Sequence, residues 1–147
     1  MQMRILDEIA RAWGWKGARP RAVIMQNGFG NVIFTDDEGR YWRICPEDLS
    51  CDVIAADGEG FERVRKSESF AIDWGMQALV DQASAAIGTP TVGRCYCLKI
   101  PSVLGGAYAL HNIGTIDRAE LIAASGHIAE QIKDLPDGAK IRLKIVD

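Results

Sequence analysis

The sequence has no long apolar run, no low-complexity segment and only two histidines, and each absence removes a class of protein. No run approaches the ~20 apolar residues that a membrane span requires. With 48% hydrophobic and 25% charged residues, the chain is too apolar for intrinsic disorder. Asp7 and Glu8 stand where a signal peptide needs an apolar core, so we expect a cytoplasmic protein. The 147 residues suit one core, and we expect a single domain over 1–147.

The spacing of the cysteines does not suit a metal site. The four cysteines are Cys45, Cys51, Cys95 and Cys97. Zinc sites use Cys-x-x-Cys pairs or cysteines combined with histidines, whereas the second pair here is Cys-x-Cys and the first pair is spaced more widely. Because a reducing compartment disfavours disulfides and buried cysteine behaves as a small hydrophobe, we expect free structural thiols and no metal.

Motifs for catalysis or cofactor binding are also missing. The segment Gly28-Phe29-Gly30 lacks the third glycine and the following helix of a dinucleotide-binding loop. Neither a Walker loop nor a Gly-x-Ser-x-Gly elbow occurs. We therefore predict no catalytic residues, no cofactor and no enzyme. One alternative stays open, a small hydrolase that uses Cys95 or Cys97 with His111.

The spacing of hydrophobic residues changes along the chain between a period of two, typical of strands, and a period of 3.6, typical of helices. Ile5, Ile9 and Trp13 fall on one face of a short N-terminal helix. Short apolar runs separated by turns then predict a β-meander, whose strands pair antiparallel because the connections are too short for a crossover. Asp117 followed by Glu120 predicts the start of the longest helix. The predicted strands are 22–26, 31–35, 41–45, 53–56, 95–100, 108–113 and 140–146, and the main helices are 73–87 and 118–133.

These elements predict an α+β fold, with a mainly antiparallel sheet built from the meander and the later strands. We expect the two main helices to pack on that sheet, beside the short N-terminal helix. On the longest helix, the buried stripe is predicted at Leu121, Ser125, Ile128, Ile132 and Leu135.

Charge is distributed unevenly although the net charge is only −3. Residues 31–62 carry nine acidic side chains and two basic ones, a local net charge of −7. An acidic segment of this size disfavours direct contact with nucleic acid and attracts basic proteins. Ordinary solvated turns are the alternative interpretation, because turns select aspartate and glycine for backbone reasons.

Four segments of the sequence form a distinctive set: NGFGN at 27–31, GRYWRICPEDL at 39–49, LGGAY at 104–108 and QIKDLPDG at 131–138. Together they resemble one bacterial family, the C-terminal domain of type VI secretion DNase immunity proteins, whose members are often associated with a GAD-like domain. The resemblance covers nearly the whole chain from about Trp13. It implies a non-catalytic protein that binds a cognate nuclease toxin and neutralises it.

The acidic segment provides an expected contact surface for such a toxin. Nuclease clefts bind a polyanion and are therefore basic, so an inhibitor gains association rate and register by presenting carboxylates. Six carboxylates in two turns would form one rim if the turns lie at neighbouring ends of the meander: Asp36, Asp37, Glu38, Glu47, Asp48 and Asp52. An alternative function, a small-ligand or peptide-binding module, would need an apolar pocket rimmed by Trp15 and Tyr108.

Overall fold

The first four strands form the antiparallel meander that the sequence predicts. The computed structural model describes residues 2–136, 138 and 139. In it, neighbouring strands of the meander follow one another in chain order and pair antiparallel. Phe34 and Trp42 face each other across the central pair and stack with their ring centroids 6.0 Å apart. The strands are β1 (Pro20–Gln26), β2 (Val32–Asp36), β3 (Tyr41–Cys45) and β4 (Ser50–Ala55).

The later strands form a second, two-stranded sheet instead of extending the meander. Strands β5 (Arg94–Leu98) and β6 (Ile113–Asp117) pair antiparallel with each other. The backbone N–H of Tyr96 donates a hydrogen bond to the carbonyl of Gly28 at 2.9 Å. This bond connects the second sheet to the turn between β1 and β2.

The predicted strand 108–113 is wrong, because the chain forms a short 3₁₀ helix at Leu110–Asn112 before β6 begins. The side-chain amide of Asn112 donates to the carbonyls of Ile100 and Ala107, and its oxygen accepts from the backbone N–H of Ile100. These bonds satisfy backbone groups of the loop locally, so the segment closes as a turn. The predicted strand 95–100 correspondingly ends at Leu98.

The first and last helices pack against each other beside the meander. Helix α1 (Gln2–Trp13) buries Ile5, Ile9 and Trp13, as the spacing predicts. The other helix, Arg118–Ile132, is the last of five α-helices in the described residues and is labelled α5. A Cβ atom at Gly126 would lie 2.5 Å from the carbonyl oxygen of Ala12. Glycine at this position therefore permits the close approach of the two backbones.

Helix α5 begins where the capping pattern predicts. Asp117 accepts hydrogen bonds from the backbone N–H groups of Ala119 and Glu120 at 2.9 and 3.1 Å. The predicted buried stripe is confirmed at Leu121 and Ser125 and is wrong at Leu135, which is exposed beyond the end of the helix.

Between β4 and β5 along the sequence, the chain forms three helices instead of the single predicted helix 73–87. They are α2 (Gly58–Arg65), α3 (Glu68–Gly75) and α4 (Gln77–Ile87). Met76 separates the last two with a left-handed φ of 46°, a backbone conformation that residues other than glycine seldom adopt. From these helices, Phe61 and Trp74 pack on the Ile33 face of the meander.

The α+β class, the antiparallel pairing and the N-terminal helix are thus confirmed. The predicted strand 140–146 lies outside the described residues. Among the residues that are described, no helix is long and apolar enough to cross a membrane.

Candidate partner-binding cleft

An open cleft of about 420 Å³ lies at the end of the meander where β3 passes into β4. Four carboxylates line it together with one arginine, so its wall carries an excess of negative charge. Three of these carboxylates, Asp48, Asp52 and Asp73, are exposed. The lining residues are Arg43, Cys45, Glu47, Asp48, Ser50, Asp52, Ile54, Asp73, Met76 and Tyr108.

Asn31 organises the polar groups behind the cleft, although it does not line it. Its side-chain nitrogen donates to both carboxylate oxygens of Glu47, at 2.9 and 3.1 Å. Its side-chain oxygen accepts from two nitrogens of Arg43, at 3.1 and 2.9 Å. The fully buried Asn31 therefore holds an anionic and a cationic side chain in fixed positions at once.

Arg43 already contacts an anionic and an aromatic side chain of the protein itself. Its guanidinium donates to Asp73 on α3 at 2.7 Å and lies 5.1 Å from the ring centroid of Trp74, a cation–π distance. Arg43 thus joins β3 to α3 and neutralises Asp73. No hydrogen bond among the described residues joins Arg43 to the other three carboxylates of the cleft.

Glu47 is buried, and no salt bridge among the described residues includes it. It is only 4% exposed, and its carboxylate accepts hydrogen bonds from two neutral side chains, the amide of Asn31 and the thiol of Cys45, the latter at 2.7 Å. Burial raises the pKa of Glu47, and the bonds from Cys45 and Asn31 oppose that change. Burial and the adjacent Glu47 charge likewise raise the pKa of Cys45, so this thiol stays protonated and donates.

The loop between β5 and β6 closes one side of the cleft. The hydroxyl of Ser102 lies 2.8 Å from the carbonyl of Glu47 and 3.0 Å from a carboxylate oxygen of Asp48. Tyr108 donates to Ser102 and is 49% exposed at the cleft wall. Burial raises the pKa of Tyr108, its bond to Ser102 lowers it, and the charges of Glu47 and Asp48 raise it again.

The structure divides the six carboxylates that the sequence singles out. Asp36, Asp37 and Glu38 lie at the β2–β3 turn, whereas Glu47, Asp48 and Asp52 lie at the β3–β4 end. Strand β3 separates the two ends by about 13 Å, at roughly 3.3 Å per residue. The two turns therefore do not form one continuous rim, and the two buried members, Asp36 and Glu47, have little surface to offer a partner.

Asp36 instead organises its own turn. Its carboxylate accepts hydrogen bonds from the Trp42 indole at 2.8 Å, from the side chain and backbone of Arg40 at 2.7 and 2.9 Å, and from the backbone of Glu38 at 2.9 Å. Burial alone would raise the pKa of Asp36, but these bonds outweigh it and lower the pKa to about 2.

Acid is expected to destabilise the protein through Asp36. Because its pKa is lowered on folding, its ionised form contributes stability above the unfolded pKa of about 4, and this contribution disappears as the pH falls towards 2. Asp36→Asn should lower the free energy of unfolding at pH 7 by about 2 kcal/mol and flatten its decline between pH 4 and pH 2. Denaturant unfolding across this pH range measures both effects. Equal acid slopes for Asp36→Asn and the exposed control Asp37→Asn would contradict this role.

The contacts give the thiol hydrolase alternative no support. Cys95 is buried, and burial raises its pKa to about 12, which opposes formation of the nucleophilic thiolate. His111 is exposed on the 3₁₀ helix, and no hydrogen bond among the described residues joins it to a cysteine. All four cysteines are free, and no cluster in the described part of the chain has the groups to hold a metal ion.

Only one of the two aromatic residues predicted for the ligand-binding alternative lines the cleft. Tyr108 lines the acidic cleft, but Trp15 lies elsewhere, where it stacks on Trp13 with ring centroids 5.7 Å apart and lies under the ammonium of Lys133. The two aromatic residues do not rim one apolar pocket.

Sequence reasoning missed three residues that build the cleft: Asn31, Arg43 and Asp73. The first two stand inside the segments that carry the family resemblance, where they read as turn and strand residues. Asp73 comes from a helix that the sequence pattern does not separate from α4, so no local signal places it beside Arg43.

The fold and the cleft define an α+β domain with an acidic surface cleft, and the comparisons identify its family. The profile of the family described as T6SS immunity protein Tdi1, C-terminal, matches residues 55–129, half of the chain. The chain therefore belongs to this family of type VI secretion immunity proteins. Membership suggests a non-enzymatic role and implies a toxin as binding partner. No curated protein matches this sequence.

A solved structure shares the fold. The chain resembles the crystal structure of Atu4351 from Agrobacterium tumefaciens, with a TM-score of 0.59 and 14% sequence identity, over 86% of this chain and 64% of that one. At this identity the likeness shows the fold alone. The chain thus spans less than two thirds of the length of that protein.

Proposed function

We propose that this chain binds a cognate type VI secretion toxin, a DNase, and neutralises it in the cytoplasm as a single non-catalytic domain. The observation that supports this function best is the family match over residues 55–129. The matched region contains Asp73, Met76 and Tyr108 on one side of the cleft, and the acidic β3–β4 end lies directly before it. A DNase reaches its substrate in the cytoplasm, so its inhibitor must act there.

The charge of the cleft supports a basic partner. Asp48 and Asp52 are exposed at its mouth. The ion pair that Asp52 forms with Lys16 at 3.2 Å is exposed, and exposed pairs contribute little to stability. A nuclease surface that binds DNA carries the opposite charge, so the two surfaces attract at long range and associate quickly. Asp37 and Glu38, exposed at the far end of β3, form a second, separate candidate contact.

Purified chain is expected to block DNA cleavage by its cognate toxin. Inhibition should be complete near one chain per toxin, because a tight inhibitor titrates its target. The measurement is plasmid cleavage over a range of molar ratios, together with size-exclusion chromatography of the mixture.

A nuclease that no immunity protein of this kind accompanies serves as the control and should remain active. Unchanged cleavage by the toxin at a tenfold excess of folded chain, with no complex on the column, would overturn the proposed function.

A further inference from the structure

Glu47 and Asp48 are two consecutive carboxylates of the cleft whose negative charge no described cationic side chain neutralises. None of the ion pairs in the described part of the chain includes either residue. Glu47 is buried among neutral donors, and Asp48 is exposed directly after it. A buried carboxylate without a cation is costly, and a cation that reaches the cleft would offset that cost.

An exposed apolar surface adjoins these carboxylates. The loop between β5 and β6 exposes large side chains that include Val103, 58% exposed, and Tyr108. Ser102 attaches the same loop to Glu47 and Asp48. Exposed apolar side chains beside a polar rim are typical of protein contact surfaces. The apolar set is Ile100, Val103, Tyr108 and Leu110.

We propose that one cationic side chain of the toxin, an arginine or a lysine, enters the cleft between Asp48 and Tyr108, and that apolar toxin residues around it cover the 100–110 loop. The cation contacts the exposed carboxylate of Asp48 and lies above the buried charge of Glu47. The Tyr108 ring provides a face for cation–π contact. This inference rests on the proposed function and adds its anchoring contact.

A protein side chain fits this position better than a free metal ion. The described residues contain no cluster of three or more metal-ligating side chains, and both oxygens of Glu47 already accept hydrogen bonds from Asn31. A guanidinium or ammonium needs only one free carboxylate and an aromatic wall, and Asp48 and Tyr108 provide these. The adjoining apolar loop has no use in binding an ion, whereas it suits a protein surface.

A double-mutant cycle identifies the anchoring cation. Asp48→Asn removes the charge and keeps a side-chain oxygen for Ser102, and the exposed Glu130→Gln on α5 is the matched control. Each exposed arginine and lysine of a catalytically inactive toxin is replaced by methionine, and Kd is measured by calorimetry. We expect Asp48→Asn to weaken binding about 30-fold, and Glu130→Gln to leave it unchanged. One toxin substitution should also weaken binding to the wild-type chain about 30-fold. The same substitution should not weaken binding to Asp48→Asn any further.

Two outcomes would overturn this inference while the proposed function stands. The first is wild-type binding with equal affinities for Asp48→Asn and Glu130→Gln. The second is a loss of affinity with Asp48→Asn that adds fully to the loss caused by every toxin substitution. Full additivity would show that no single toxin cation contacts the Asp48 carboxylate. Tyr108→Ala is a second variant in the same cleft and should also weaken binding of the toxin. A wild-type chain that fails to bind the toxin would instead overturn the proposed function itself.

Discussion

Asn31→Ala is expected to lower the free energy of unfolding by about 3 kcal/mol or more, the range for breaking a buried charged network. The substitution removes the only described amide donor to Glu47 and the acceptor for two nitrogens of Arg43. Among the described residues, Glu47 would then keep the thiol of Cys45 as its one side-chain donor. Denaturant unfolding at pH 7 measures this loss.

The exposed Gln82→Ala on α4 is the matched control, because it also removes one side-chain amide. Adding Glu47→Gln to Asn31→Ala should recover part of the stability, since the orphaned charge is then gone. If Asn31→Ala unfolds at the same midpoint as Gln82→Ala, the polar network does not stabilise the β3 end of the meander.

Local sequence patterns predicted the elements whose causes are local. The stripe Ile5, Ile9 and Trp13 requires only the helical period, and the Asp117 cap requires only the two N–H groups that follow it. The meander likewise follows from short turns. These features depend on residues a few positions apart, and the structure has them where the sequence places them.

The misplaced elements depend on contacts between distant parts of the chain. The left-handed Met76 divides the predicted helix 73–87, and nothing in its neighbours favours that conformation. Asn27 shows why a constraint exists here: its side chain donates to the carbonyl of Trp74, two residues before Met76, at 3.0 Å. A bond across 47 positions has no local signature.

The candidate site was predictable in part for the same reason. The acidic composition of 31–62 indicated a charged surface, and Asp48 and Asp52 do line a cleft. Composition does not show that a strand separates two turns or that Asp36 and Glu47 are buried. Nor does it show that Asp73 arrives from α3 to neutralise Arg43.

Reversing the charge at the mouth of the cleft is expected to abolish protection against the toxin. The double variant Asp48→Lys with Asp52→Lys places two cations opposite a basic nuclease surface, and like-charge contact at an interface costs several kcal/mol, so Kd should rise by about 100-fold or more. Both residues are exposed, so the fold should tolerate the change. The matched control, Asp7→Lys on α1 with Glu130→Lys on α5, changes the net charge equally at exposed positions outside the cleft.

Survival of cells that express the active toxin together with each variant is the most direct measurement. With equal expression and thermal stability, wild type and the Asp7→Lys, Glu130→Lys variant should protect, whereas cells with Asp48→Lys, Asp52→Lys should die as they do without any inhibitor. Full protection by the Asp48→Lys, Asp52→Lys variant would contradict the assignment of the cleft as the toxin-binding surface.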